Sequence, residues 1–212
     1  MSTHQAPVAE VDNGRKPRQS GTYHRLLNAA VALLRETKYS ELTVRAIAAR
    51  AEVSPATAYN YFKSKNGLIA EVYLRLVRTV PLFVDVNQTT HERVTQEIHA
   101  LAMLGAEEPE IAAATTTALM GDEEELKPVL EQIGIEVRRR ITAALGPGVP
   151  TNVLSAVEYV FYGAMVRAGT GFLTYDTVGS HLDRVIELIL QGHEELPKQA
   201  RPTRRRKEPV RR

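Results

Sequence analysis

The sequence predicts an all-α protein: an N-terminal three-helix bundle followed by a larger helical domain. Three observations lead there. From Tyr23 almost to the end of the chain, apolar residues recur at the three- and four-residue spacing of amphipathic helices. No stretch alternates apolar and polar residues as a strand would, and no repeat is visible. Breaks such as Pro81 and the GPGVP run at 146–150 cut the pattern into segments of helical length.

Residues 1–20 are polar and broken by Pro7, Gly14 and Pro17, the composition of an unstructured tail. A first helix carries Leu26, Leu27, Ala30, Val31 and Leu34 on one stripe. Thr43 is a candidate N-cap for a short helix through Ala51, with Val44, Ile47 and Ala48 facing inward. Ser54-Pro55 starts another, since serine accepts a backbone N–H at the cap and proline at the first helical position loses no hydrogen bond. Ser64 caps a longer helix with Leu68, Val72, Leu76 and Val80 in line. Further helices are expected over 92–104 (Val94, Ile98, Leu101, Met103), 110–120, 123–145 (Leu126, Leu130, Ile133, Val137, Ile141), 152–173 and 178–192. The domain boundaries follow: a tail at 1–20, the small unit at 21–67, the large unit at 68–195 and a second tail at 196–212.

Composition narrows the chemistry. The chain has no cysteine, which removes disulfides, thiolate metal sites and cysteine nucleophiles and suits a reducing cytoplasm. The N-terminal stretch lacks the apolar core of a signal peptide. The segment nearest to a membrane span, 152–173, is interrupted by Glu158 and Arg167, so it is expected to be a buried helix and not a membrane partner. The net charge is only +2, yet the final RPTRRRKEPVRR holds seven basic residues against one Glu. Such a tail either aids solubility or adds sequence-independent attraction to phosphates.

The helix over 43–51, the tight turn at Glu52-Val53 and the helix over 54–62 form the layout of a helix-turn-helix, whose second helix enters the major groove of DNA. Ala58, Phe62 and part of Tyr61 would face inward. That leaves Pro55, Ala56, Thr57, Tyr59 and Asn60 at the front. The run LTVRAIAARAEVSPATAYNYFKSKNGLI resembles the DNA-binding segment of the TetR family of bacterial one-component transcriptional regulators, over roughly residues 23–72. Two departures stand out: Glu52 and Lys38 occupy positions where that family often has glycine. Asn66 and Gly67 also replace a usual acidic residue. The resemblance implies DNA contacts from Arg45, Thr57, Tyr59, Asn60 and Tyr61, with Lys63 and Lys65 near the phosphate backbone. Asparagine pairing with adenine, arginine with guanine and lysine with phosphate agree with that assignment.

For the remainder, the resemblance implies effector binding and homodimerisation through the last two helices. The pattern supports surplus burial there, because Leu154, Val157, Phe161, Met165 and Ala168 form one stripe while Val160, Tyr162, Gly163 and Val166 extend the apolar surface. Met103, Met120, Phe161, Met165 and Phe172 are candidates for an apolar pocket taking an acyl or lipid-like effector, or are simply core. Thr115, Thr116 and Thr117 either add hydroxyls to it or face water. No enzyme motif or cofactor fingerprint is present, and His91 and His99 stand eight apart, too far for a shared zinc on one helix turn. The expected function is a repressor released from a palindromic operator by an apolar molecule. The alternative is an effector-independent, architectural DNA-binding protein whose large domain only dimerises.

Overall fold

The computed structural model describes residues 17–195, with side chains from 21 to 193. The rest of the two expected tails, including the basic C-terminal run, lies outside the described residues. The elements are α1 (Pro17–Glu36), α2 (Val44–Arg50), α3 (Pro55–Tyr61), α4 (Lys65–Thr79), α5 (Thr90–Glu107), α6 (Pro109–Leu119), α7 (Lys127–Leu145), α8 (Thr151–Gly169) and α9 (Tyr175–Glu195). A single 3-10 turn, Glu124–Leu126, precedes α7. Among the described residues there is no strand, and the fold is all α.

Local chemistry sets most helix starts. The hydroxyl oxygens of Thr43, Ser54 and Ser64 accept from the backbone N–H groups of Ala46, Thr57 and Gly67, each at 3.1 Å. Thr89 and Glu92 close a capping box, which starts α5 at Thr90 and not at the expected Glu92. α1 begins at Pro17, four residues inside the segment expected to be unstructured, because proline at a first helical position needs no hydrogen-bond partner. The helix expected over 123–145 is divided: Pro128, in the first turn of α7, has no N–H to continue a helix from Glu123, and the chain makes a 3-10 turn instead. α8 ends at Gly169 and leaves Phe172 and Leu173 in the connection to α9.

The α2–α3 turn takes an unusual residue. Glu52 has φ of 54°, in the left-handed region that favours glycine, while its N–H still donates to the Ala49 carbonyl at 3.1 Å. Lys38, at the other position where glycine is common, is not in that region. A side chain in this conformation costs on the order of 1 kcal/mol. Glu52→Gly is therefore expected to raise the unfolding free energy, read from urea denaturation, by up to about 1 kcal/mol, less whatever the freer unfolded chain takes back. A loss of about 1 kcal/mol, the full cost of the freer unfolded chain with nothing regained, would show the turn to be unstrained.

Two cores result. One joins α1, α2 and α3 with Leu68, Ile69 and Val72 of α4 and, from the far end of the chain, Ile111, Ala114 and Ala118 of α6. The other fills the space between α4, α5, α7, α8 and α9. α4 and α6 thus belong to both halves. At the end of α4 a buried cation ties the halves of the large unit: Arg140, 2% exposed, donates to Glu97 at 2.9 Å, to Glu136 at 3.0 Å and to the carbonyls of Val80 and Pro81. Glu97 is fully buried and also accepts from the Phe83 N–H at 3.3 Å.

Candidate DNA interface and ligand cavity

α3 is seven residues long and is held by its inner face, where Ala58 is fully buried and Phe62, the residue that ends it, is 5% exposed. The Phe62 ring stacks on Tyr23 of α1, with centroids 5.5 Å apart and planes 28° from parallel. This leaves Pro55, Ala56, Tyr59 and Asn60 exposed along the front, with Arg45 of α2 and Lys63 exposed nearby. Thr57 is half-buried, its hydroxyl 2.8 Å from that of the cap Ser54. Tyr61 is half-buried too, with its ring 6.5 Å from Tyr23 and 6.4 Å from Phe62.

Lys65 departs from the expected set. Its ammonium donates to the Tyr39 carbonyl at 2.9 Å and sits 4.3 Å over the Tyr39 ring, so it braces the α1–α2 connection from within. The other lysine expected near phosphate, Lys63, is exposed at the surface.

In the large unit, residues of α4, α5, α6, α8 and α9 line a cavity of about 80 Å³ that opens to the surface. Exposed Met120, Tyr162 and Val166 stand at the mouth. Buried Gly105, Ile111, Thr115 and Tyr175 make the floor. Two close approaches shape it. A side-chain carbon on Gly105 would lie 2.3 Å from the Tyr175 ring, and one on Gly169 would lie 2.0 Å from the Thr116 hydroxyl. Any larger residue would push Tyr175 or α6 out of place.

Of the five residues expected to line a pocket, the cavity takes in Met120 and Met165. Met103 is turned outward on α5 and is 45% exposed, because the inward face is taken by Leu101, Ala102 and Gly105. Phe161 is sealed in the large core at 1% exposure. Phe172 is 73% exposed beyond the end of α8, under the Arg167 guanidinium at 5.6 Å. Tyr73, Tyr162 and Tyr175, none of them among those five, are the phenols that supply most of the polar reach of the lining. His99 pairs with Asp183 at 2.7 Å. Among the described residues no helix is long and apolar enough to cross a membrane, and Glu158, which interrupts the apolar run of α8, is paired with Arg138.

Comparison with known proteins agrees with this geometry. The sequence profile of the bacterial regulatory proteins of the tetR family matches residues 26–72, which span α1 to α4. An HTH-type transcriptional regulator of Mycobacterium tuberculosis is 50% identical over 183 residues, covering 85% of this chain and 86% of that protein. The chain belongs to the TetR family. As a TetR-family transcriptional regulator it is not an enzyme. Its fold is also that of a TetR regulator from Rhodococcus sp. RHA1, with a TM-score of 0.72 at 18% identity over 86% of this chain and all of the other. A second solved structure, Thermus thermophilus FadR, a TetR-family repressor in complex with lauroyl-CoA, superposes with a TM-score of 0.62 at 19% identity, over 84% of this chain and 97% of that one.

The phenols of this TetR-family cavity are held neutral. Burial first, then the nearby Glu158 charge, pushes Tyr162 up to about 12, and burial above all raises Tyr73 and Tyr175. In Tyr175 the Thr116 hydroxyl offsets part of that rise. Groups raised in the folded state contribute stability that is complete below the unfolded value, about pH 10, and is lost as pH climbs through the folded values. Tyrosinate absorbance from these residues is therefore expected to appear together with loss of helical circular dichroism. Full tyrosine ionisation with the helices intact would contradict the burial.

Proposed function

We propose that the chain is a homodimeric repressor that holds a palindromic operator through α3 and releases it when an apolar small molecule occupies the cavity. The observation that carries this reading is the double membership of α6. Ile111 lies in the core under the DNA-binding helices and also lines the cavity, while Ala114 and Ala118 press on the former and Thr115 and Leu119 on the latter. A ligand that shifts α6 must disturb both. Two polar bridges support the coupling. Arg35 at the end of α1 pairs with Glu108, and Asn66 at the start of α4 donates to Glu123 while accepting from the Tyr39 hydroxyl.

Dimerisation is supported by two adjacent exposed stripes. Tyr159, Tyr162, Gly163 and Val166 on α8 follow the helical spacing of one face, as do Val185, Leu188 and Gly192 on α9. A two-fold pairing of these stripes would cover them. The two copies of α3 would then read half-sites about 35 Å apart, or a near multiple of that. The FadR structure with lauroyl-CoA supports an apolar effector class.

The deciding experiment is linkage. A footprint upstream of the chain's own gene supplies the operator, and calorimetry then measures effector binding with and without saturating operator. Operator DNA should lower effector affinity by the same factor by which effector lowers operator affinity. Unchanged effector affinity on DNA would remove induced release. Within the interface, Asn60→Ala should weaken operator binding by about 1–3 kcal/mol and relax one position per half-site. Lys63→Ala should instead weaken all sequences alike and flatten the salt dependence by about one phosphate contact. Equal losses from Asn60→Ala on operator and random DNA would take base reading away from Asn60.

A further inference from the structure

The polar atoms of the cavity are placed with a particular ligand group in view. Of the three consecutive threonines on α6, Thr116 and Thr117 turn their hydroxyls back onto the carbonyls four residues earlier, at 3.1 and 3.0 Å. Thr115 does not. It is 3% exposed, lines the cavity, and its hydroxyl has no hydrogen-bond partner. Tyr175, 8% exposed on the first turn of α9, is buried as well, and its hydroxyl has the Thr116 hydroxyl beside it but no well-formed hydrogen bond. Leaving a buried hydroxyl unpaired is unfavourable, so the unpaired Thr115 and the poorly bonded Tyr175 on one cavity floor both have hydrogen-bonding capacity to spare.

The lining also says what that group is not. None of the residues that line the cavity is Lys, Arg, His, Asp or Glu. A carboxylate or phosphate brought to the floor would be desolvated with no counter-ion, and a cation would fare no better. A chain entering methyl-end first would leave both hydroxyls as they are. An oxygen with two lone pairs and no hydrogen of its own satisfies both donors at once.

We infer that the effector is an uncharged apolar molecule that carries a ketone- or ester-type carbonyl at its deep end, bonded by the Thr115 and Tyr175 hydroxyls. This rests on the reading of the cavity as the effector site. Gly105 has a defined part in it, since only a residue without a side chain lets the Tyr175 ring lie against α5 at the floor.

The test is calorimetry on the full chain at about pH 8, where carboxylates are ionised and ordinary phenols are not. The probes are methyl nonyl ketone and undecanoate, of equal carbon number, together with lauroyl-CoA. The ketone is expected to bind at least tenfold more tightly than undecanoate. Thr115→Val and Tyr175→Phe, each close to the shape of the native residue, should independently weaken the ketone about three- to tenfold and leave undecanoate unchanged. Ala112→Trp, which fills the cavity, should abolish binding of the ketone. If ketone and undecanoate bind alike, or if lauroyl-CoA binds more tightly than the ketone and ignores both hydroxyl deletions, while Ala112→Trp still blocks them, the carbonyl assignment is overturned and the pocket reading survives. If no probe binds, or if binding survives Ala112→Trp, the pocket reading falls and this inference with it.

Discussion

Arg140→Ala is expected to destabilise the protein by about 3–5 kcal/mol, the range seen when one partner of a buried ion pair is removed. The size follows from what is left behind. Glu97, fully buried, would lose its guanidinium partner and be left with the Phe83 N–H, and the Val80 and Pro81 carbonyls at the end of α4 would lose their donor. Replacing both members, Arg140→Met with Glu97→Met, should restore much of the loss, since a well-packed apolar pair of similar volume often matches a buried ion pair. Urea denaturation of the two singles and the double, at one protomer concentration so that any self-association weighs equally on all, separates the desolvated charge from the lost packing. A cost below about 1 kcal/mol for Arg140→Ala would mean that water reaches the site and that the clamp on α4 is loose.

Phe62→Ala should be nearly as severe, at about 3–5 kcal/mol for loss of a buried aromatic side chain, but its effect should be confined to the DNA-binding half. Phe62 ends α3, stacks on Tyr23 and closes the small core. Without it a seven-residue helix keeps little besides Ala58 to fix its angle. Operator binding is expected to disappear at temperatures where effector binding to the large unit persists. Tyr59→Ala is the control. Tyr59 is 38% exposed on the same helix, so its removal should leave stability within about 0.5 kcal/mol while weakening DNA binding. If Phe62→Ala retains full operator affinity, α3 is positioned by other means than its inner face.

Much of the fold was legible because it is set by groups a few residues apart. The caps at Thr43, Ser54 and Ser64 each need only a hydroxyl and an N–H three positions on, and the structure forms all three bonds. The buried positions of α2 are Val44, Ile47 and Ala48, and the exposed front of α3 holds Pro55, Ala56, Tyr59 and Asn60, because helical geometry fixes which side chains share a face. The left-handed Glu52 was visible as a non-glycine residue in a turn that calls for that conformation.

The large unit is different in kind. Periodicity gives an apolar face but not the neighbour it meets, so it could not tell that Met103 turns to water, that Phe161 disappears into the core, or that Tyr73, Thr115, Tyr162 and Tyr175 converge from four separate helices on one cavity. Arg140 sits in a run of three arginines, and only its height and angle on α7 put it against Glu97 and the end of α4 while Arg139 remains exposed. Lys65 looked like a surface charge until the α1–α2 connection came to lie across it. By itself, then, the sequence determined most of the helices, their caps, the exposed face of α3 and the family. The tertiary structure alone decided the cavity, the ion clamp and the sharing of α6 between two cores, because these depend on packing angles among distant helices that no local spacing encodes.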